Sequence, residues 1–195
     1  MRDIAAPDLP PILVSIADPH LPESVRLVEH LWDELGELYG DTGPCRFSPD
    51  ELVGEGTVFV VASVDGEAVG CGAVLPLEGD VGEVKRIFVE PRARRRGVAG
   101  QVLEALEDAA RRLGYRALRL ETGLHQPGAI SLYDGSGWRR IARYGRHVDD
   151  PLSVCFEKQL DSFLTGIEEI AGSVEGPADL SCNPMHMDGF GQSRG

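Results

Sequence analysis

The stretch VEPRARRRGVAGQVLEALEDAARRLGY, residues 89–115, decides how the chain is read. A strand-like run stops at Pro91, three arginines lead into a turn of small residues, and an apolar pattern begins. Val98, Val102, Leu103, Leu106, Ala110 and Leu113 share one side of a helical period, so Gly97 to Leu113 is expected to form an amphipathic helix closed by Gly114. A helix N-terminus already presents unpaired N–H groups and partial positive charge. Arginines added there oppose folding unless an anion arrives. Gly97, Ala99 and Gly100 are small enough to let the main chain approach such an anion, and the successive N–H groups of Arg95 to Gly100 could wrap a pyrophosphate.

The elements around this helix follow from periodicity and turn chemistry. Pro11 to Ala17 reads as a first strand, and Ser24 to Tyr39 as a helix with Val25, Val28, Leu31, Trp32, Leu35 and Leu38 in register. Trp32 is expected on its buried stripe. A Gly/Pro-rich loop spans Gly40 to Pro49. Thr57–Val64 and Ala68–Leu77 flank Asp65-Gly66, a hairpin signal, and Glu78-Gly79-Asp80 turns the chain into a third strand, Val81 to Val89. Arg116 to Glu121, Trp138 to Arg143 and Leu152 to Lys158 are later strands, with a short helix at Pro127 to Gly135. The third strand contains an interruption: charged Lys85 and Arg86 precede three apolar residues in a row, a phase slip that suits a β-bulge.

Composition narrows the function. The 195 residues suit one domain of ordinary size, and the 42 % apolar share is that of a soluble globular chain. A net charge of −13 argues against a nucleic-acid binder, and no apolar run reaches the ~18 residues of a membrane span. No apolar leader opens the chain, and Cys45, Cys71, Cys155 and Cys182 lie far apart, so a reduced cytoplasmic setting is expected. Cys71 and Cys155 sit in apolar strands and are expected in the core. Basic residues are concentrated: ten Lys or Arg against four acids lie between Lys85 and Arg119. That island fits a small phosphorylated ligand better than a polymer. Residues 161–195 hold six acids and one arginine and are expected to be a flexible tail, with a short helix through Phe163 to Ile170. Soft-metal binding by Cys182, Met185, His186 and Met187 lacks the rest of a site, and no metal is expected.

The arginine loop admits several readings. A P-loop needs GK[ST], which does not occur. A Rossmann fingerprint would use Glu121 as the ribose acid, but Ala99 and Val102 stand where its glycines belong, and the strand-to-helix link is long. A solvated arginine cluster is the plainest alternative. Two motifs together decide otherwise. Arg94, Gly97 and Ala99 meet the pattern Q/R-x-x-G-x-G/A, and Ala129, Tyr133, Gly137 and Trp138 meet a second block, N-x-x-A-x-x-x-Y followed by a Gly-aromatic pair. Both resemble the acyl-CoA-binding motifs of the GNAT N-acetyltransferase family. Position 126 is Gln rather than the family's Asn. The ending YGRHVDDPLSVCFEKQL, residues 144–160, also resembles bacterial members that act on small molecules, and the resemblance covers roughly residues 11–160.

The resemblance implies an α/β acyl-CoA N-acyltransferase fold with a mixed, mainly antiparallel sheet of about seven strands, acetyl-CoA as co-substrate, and transfer of its acetyl group to the primary amine of a small-molecule or amino-acid-like acceptor. It implies that Ile87, Phe88, Val89, Arg94, Arg95, Arg96, Gly97, Val98, Ala99, Gly100, Gln126 and Tyr133 hold acetyl-CoA. Glu83 is the implied base, with Glu121 and His125 in reserve, and Tyr133 the proton donor to the leaving thiolate. An N–H freed by the bulge, at Ile87 or nearby, would stabilise the developing oxyanion. Lys85, Arg86 and Arg46 are candidates to meet an acceptor carboxylate. The fold often pairs, so a homodimer is one implied assembly. A non-catalytic acyl-CoA sensor on the same fold is the alternative, separated from the enzyme by Glu83 and Tyr133.

Overall fold

The structure, a computed structural model, describes residues 10–40 and 48–160. The expected tail, its helix, its soft-metal cluster and Arg46 lie outside the described residues. Seven strands form one sheet: β1 (Ile12–Ile16), β2 (Val58–Val64), β3 (Glu67–Glu78), β4 (Val81–Val89), β5 (Ala117–Gly123), β6 (Arg139–Ile141) and β7 (Ser153–Gln159), in the spatial order β1-β2-β3-β4-β5-β7-β6. Among the described residues three α-helices accompany it: α1 (Pro22–Tyr39), α2 (Val98–Arg112) and α3 (Pro127–Gly135). All strand pairs are antiparallel except β4 with β5, which α2 connects as a crossover.

Local chemistry accounts for these elements. Asp65 and Gly66 both adopt positive φ, 53° and 79°, as the tight hairpin between β2 and β3 requires. Pro22 sits in the first turn of α1, where its missing N–H costs nothing. Alternation along β2 sends Val58, Val60, Ala62 and Val64 into the cluster under α2, and Phe59 and Val61 into the one under α1. On α2, Val98, Val102, Leu103, Leu106 and Ala110 are buried as expected, whereas Leu113 is exposed. Cys71 and Cys155 are both free and buried, and burial pushes the Cys71 thiol up to about 12, so it stays protonated and inert.

The expectation for α1 needs correction. Leu27 and Val28 are buried against the sheet, but Leu31, Trp32 and Leu35 are only half-buried. Trp32 and Leu35 line cavities, and Leu31 both lines them and packs against the core under α1. The apolar stripe is longer than the core it meets, and the surplus faces a cleft.

The interruption in β4 is a bulge. Cys71 pairs with Phe88 and Ala73 with Lys85, so Gly72 alone opposes Arg86 and Ile87, and Arg86 takes a left-handed φ of 59°. Gly72 has to be glycine for packing reasons: a Cβ there would lie 2.6 Å from Ile87 Cδ1 and 2.9 Å from both Leu106 Cδ1 and Val102 Cγ1. Gly72→Val overpacks the seam between the bulge and α2. A loss of about 1–3 kcal/mol is expected, read as a lower urea midpoint at unchanged slope.

Candidate active site

Strands β4 and β5 pair only from Val81↔Ala117 to Val84↔Leu120. Beyond that point β5 continues to Gly123 on β7 alone, while β4 turns at its bulge and runs on beside β3. The β5-facing edge of β4 from Lys85 to Val89 therefore carries no ladder, and the sheet opens into a V. Two cavities occupy the opening.

The first, of about 590 Å³, lies between β4, the start of α2 and α3. Its lining includes Ile87, Phe88, Val89, Arg94, Arg95, Gly97, Val98, Ala99, Gly100, Gln126 and Tyr133. Arg96, expected with them, does not line it with its side chain. The loop turns sharply at Arg95 (φ 58°) and Gly97 (φ 85°). Gly97 caps α2 without any side-chain hydrogen bond, and the helix's first main-chain bond runs from Gln101 N–H to Gly97 O at 3.1 Å. Among the described residues, no main-chain carbonyl accepts from the N–H groups of Arg95 to Gly100. Six consecutive donors at a helix start are a strong anion trap. A Cβ at Gly100 would meet nothing within 4 Å, so that side of the helix is open space.

Helix α1 holds this loop at two points. Buried Glu90, just after β4, accepts from Arg26 at 2.5 Å and lies 3.0 Å from His30 Nδ1. Glu34 pairs with Arg94, whose Nε also donates to Val89 O at 2.9 Å. The Arg94 charge is thus partly spent on α1, which leaves the main-chain N–H groups as the freer donors of the loop. On the opposite wall, Gln126 Oε1 accepts from the Thr122 hydroxyl at 2.9 Å. That contact commits the carbonyl end of the Gln126 side chain and leaves its NH₂ for a ligand.

The second cavity, of about 350 Å³, lies between β4, β5, α1 and the loop preceding β7. Glu83, Lys85, Arg86, Glu121, Arg146 and Asp150 supply its charge, and Leu31, Trp32, Leu35 and Tyr39 an apolar wall. Glu83 is buried at its edge, 8 % exposed. One carboxylate oxygen accepts from the Tyr144 hydroxyl at 3.0 Å and the other lies 2.8 Å from Lys85 Nζ. Tyr144 is itself held by the Arg119 guanidinium, 5.6 Å from its ring centroid. Burial, and then the charge and hydrogen bond of Glu83, push the Tyr144 phenol far up, so it remains a donor. Glu121 accepts from Ser153 at 2.6 Å. His125, held in reserve with Glu121, stacks on Tyr39 at 5.4 Å and lines the first cavity, apart from Glu83.

Tyr133 joins the two spaces. Its ring packs on Phe156 and Trp138 (5.4 and 6.0 Å), and it lines both cavities together with Ile87 and Gln126. Burial first, and the Glu121 charge second, push its phenol strongly up, so it carries a proton at neutral pH. Trp32 and Arg146 line the second cavity and Tyr144 bonds to Glu83 at its edge; from sequence the loop Arg143 to Pro151 is expected to help set the acceptor, but none of the three is singled out. Tyr144 opens the block 144–160 that resembles small-molecule-acting relatives, and that was the available signal. Among the described residues, no group of three or more His, Cys, Asp or Glu could hold a metal ion, and no helix is long and apolar enough to cross a membrane.

Comparison with known proteins agrees with this architecture. The family model described as "Acetyltransferase (GNAT) family" matches residues 24–138. An IAA acetyltransferase of Azospirillum brasilense is 38 % identical over 153 residues, covering 78 % of this chain and all of that protein. A Klebsiella pneumoniae structure assigned as an acyl-CoA N-acyltransferase is 33 % identical, covers 77 % of this chain and 98 % of its own, and superposes with a TM-score of 0.64. A GNAT family acetyltransferase from Elizabethkingia anophelis, solved with acetyl-CoA bound, is 19 % identical with a TM-score of 0.55 over 76 % of this chain and 98 % of its own, and shares the fold. A family match over more than half of the chain, and a relative matched along its whole length, place this protein in the GNAT family of N-acetyltransferases.

Proposed function

We propose that the chain moves the acetyl group of acetyl-CoA directly to the primary amine of a small-molecule or amino-acid-like acceptor. The observation that carries this reading is the meeting of two unlike cavities at Tyr133, Ile87 and Gln126. One offers unpaired amides for a pyrophosphate, and the other offers a buried carboxylate for an ammonium. The free edge of β4 at Ile87 to Val89 suits pantetheine, whose amides can pair there like an added strand. The thioester then lies at the junction.

The chemistry has three demands. An alkyl ammonium holds its proton to a pKa of roughly 10, so Glu83 takes that proton, directly or through water, before the nitrogen attacks the thioester carbonyl. An N–H on the opened edge of β4, at Ile87 or nearby, meets the oxyanion that develops. As the C–S bond breaks, Tyr133 gives its proton to the departing sulfur. Tyr144 and Lys85 hold the Glu83 carboxyl group in place. We place the reaction in the cytoplasm, a reading supported by the two free, buried cysteines.

Incubating the protein with acetyl-CoA and a panel of amines tests the proposal: free CoA should appear only with an acceptor. Acetyl-CoA binding without CoA release from any amine would point to a sensor instead. Gly100→Leu should leave stability unchanged or raise it by up to about 1 kcal/mol, because glycine is a poor helix former. The same change should weaken acetyl-CoA roughly tenfold or more by calorimetry, a loss of at least ~1.4 kcal/mol. Tyr133→Phe should lower kcat by about 100-fold with little change in the KM for acetyl-CoA. Tyr144→Phe removes the hydroxyl that holds one carboxylate oxygen of Glu83 in place. It should lower kcat/KM by roughly tenfold, the scale of one lost hydrogen bond to a charged group, with acetyl-CoA binding by calorimetry little changed.

A further inference from the structure

We infer that the acceptor carries a carboxylate besides its amine, and that Arg146 at the mouth of the second cavity reads it. The inference rests on the acetyl-transfer reading above and deepens it. Its basis is the charge left over when the cavity's own contacts are accounted for. Three carboxylates and three cations line the space. Glu83 is met by Tyr144 and Lys85, Glu121 by Ser153, and Asp150 by the main-chain N–H of Leu152 at 2.9 Å. Lys85 is consumed by Glu83, and Arg86 lies 3.5 Å from Glu51. Arg146 is different. Its nearest polar contact is His147 Nε2 at 3.4 Å, and among the described residues no carboxylate lies within ion-pair distance of it.

An exposed arginine is ordinarily just solvated. Here its place argues for more, because the other two cations of the cavity each face a protein carboxylate and Arg146 faces none among the described residues. A carboxylate at Arg146 would gain charge-assisted, two-pronged hydrogen bonds. A second ammonium there would be repelled by Arg146 and Arg86, so polyamines fit poorly. The half-buried Leu31, Trp32 and Leu35 on the facing wall offer an apolar bed for what joins the two charged ends. The class that satisfies all three features is an apolar or aromatic amino acid, with its amine toward Glu83 and its carboxylate toward the loop before β7.

Matched acceptors test this. Phenylalanine is compared with phenylalaninamide and with phenethylamine, using the full chain and saturating acetyl-CoA. The amide's amine is less basic and so more often neutral, which biases the comparison against the inference. The expected result is a kcat/KM at least tenfold higher for the amino acid. Arg146→Ala should bring the acid-to-amide ratio close to one, mainly through the KM for the acid, and Arg146→Lys should restore part of it. Preference for the amide or the plain amine, or an acid-to-amide ratio untouched by Arg146→Ala, overturns the carboxylate assignment and leaves acetyl transfer standing. Absence of turnover with every amine, while acetyl-CoA binds, overturns both.

Discussion

A folded chain rarely leaves main-chain hydrogen-bonding groups unpaired, and this one leaves two runs of them side by side. The β5-facing edge of β4 loses its partner after Val84, and the N–H groups of Arg95 to Gly100 lack main-chain acceptors among the described residues. The first follows from the extra residue at Arg86, the second from the start of a helix, where N–H groups have no preceding turn to bond. The bulge turns β4 off the parallel ladder, and the strand's end then feeds a loop bent by left-handed Arg95 and Gly97. The cost of these open groups is met elsewhere. α2 seals a continuous apolar core, and α1 ties down the loop through Glu90 and Arg94.

The rigid part of the site is therefore built from backbone, and the chemical part from side chains set around it. Glu83 lies on the last stretch of β4 still paired to β5, where the sheet is firm. Tyr133 comes from α3 and is clamped by Trp138 and Phe156. Tyr144 arrives from the loop after β6 and is fixed by Arg119 from β5. Three separate elements thus meet around the second cavity and its junction with the first, an arrangement that suits the proposed direct transfer between two bound molecules.

Much of this was legible in the sequence because the signals were local. Asp65-Gly66 fixed a hairpin, the apolar period from Val98 fixed α2, and the break at Lys85 and Arg86 marked the bulge. The fold and the anion-binding turn rest on such short-range patterns. Trp32 was misjudged because periodicity tells which face of a helix is apolar but not whether that face meets core or cleft. Tyr144 and Arg146 escaped because their contacts, to Glu83 and to the cavity, span distant parts of the chain and leave no spacing to recognise. Arg96 matched the loop by position, yet only its main-chain N–H belongs to the open run.

Leu31, Leu35, Ile87, Gln126 and Tyr133 border both cavities. On the proposed function each occupant would form part of the other's container, and the two binding equilibria would be linked through a common partition. Linkage of this kind is reciprocal: any gain in affinity that the first guest confers on the second is returned in equal measure. On the proposed function a shared partition would also leave little room for solvent once both guests were seated, so synergy and protection from hydrolysis would come from the same five residues.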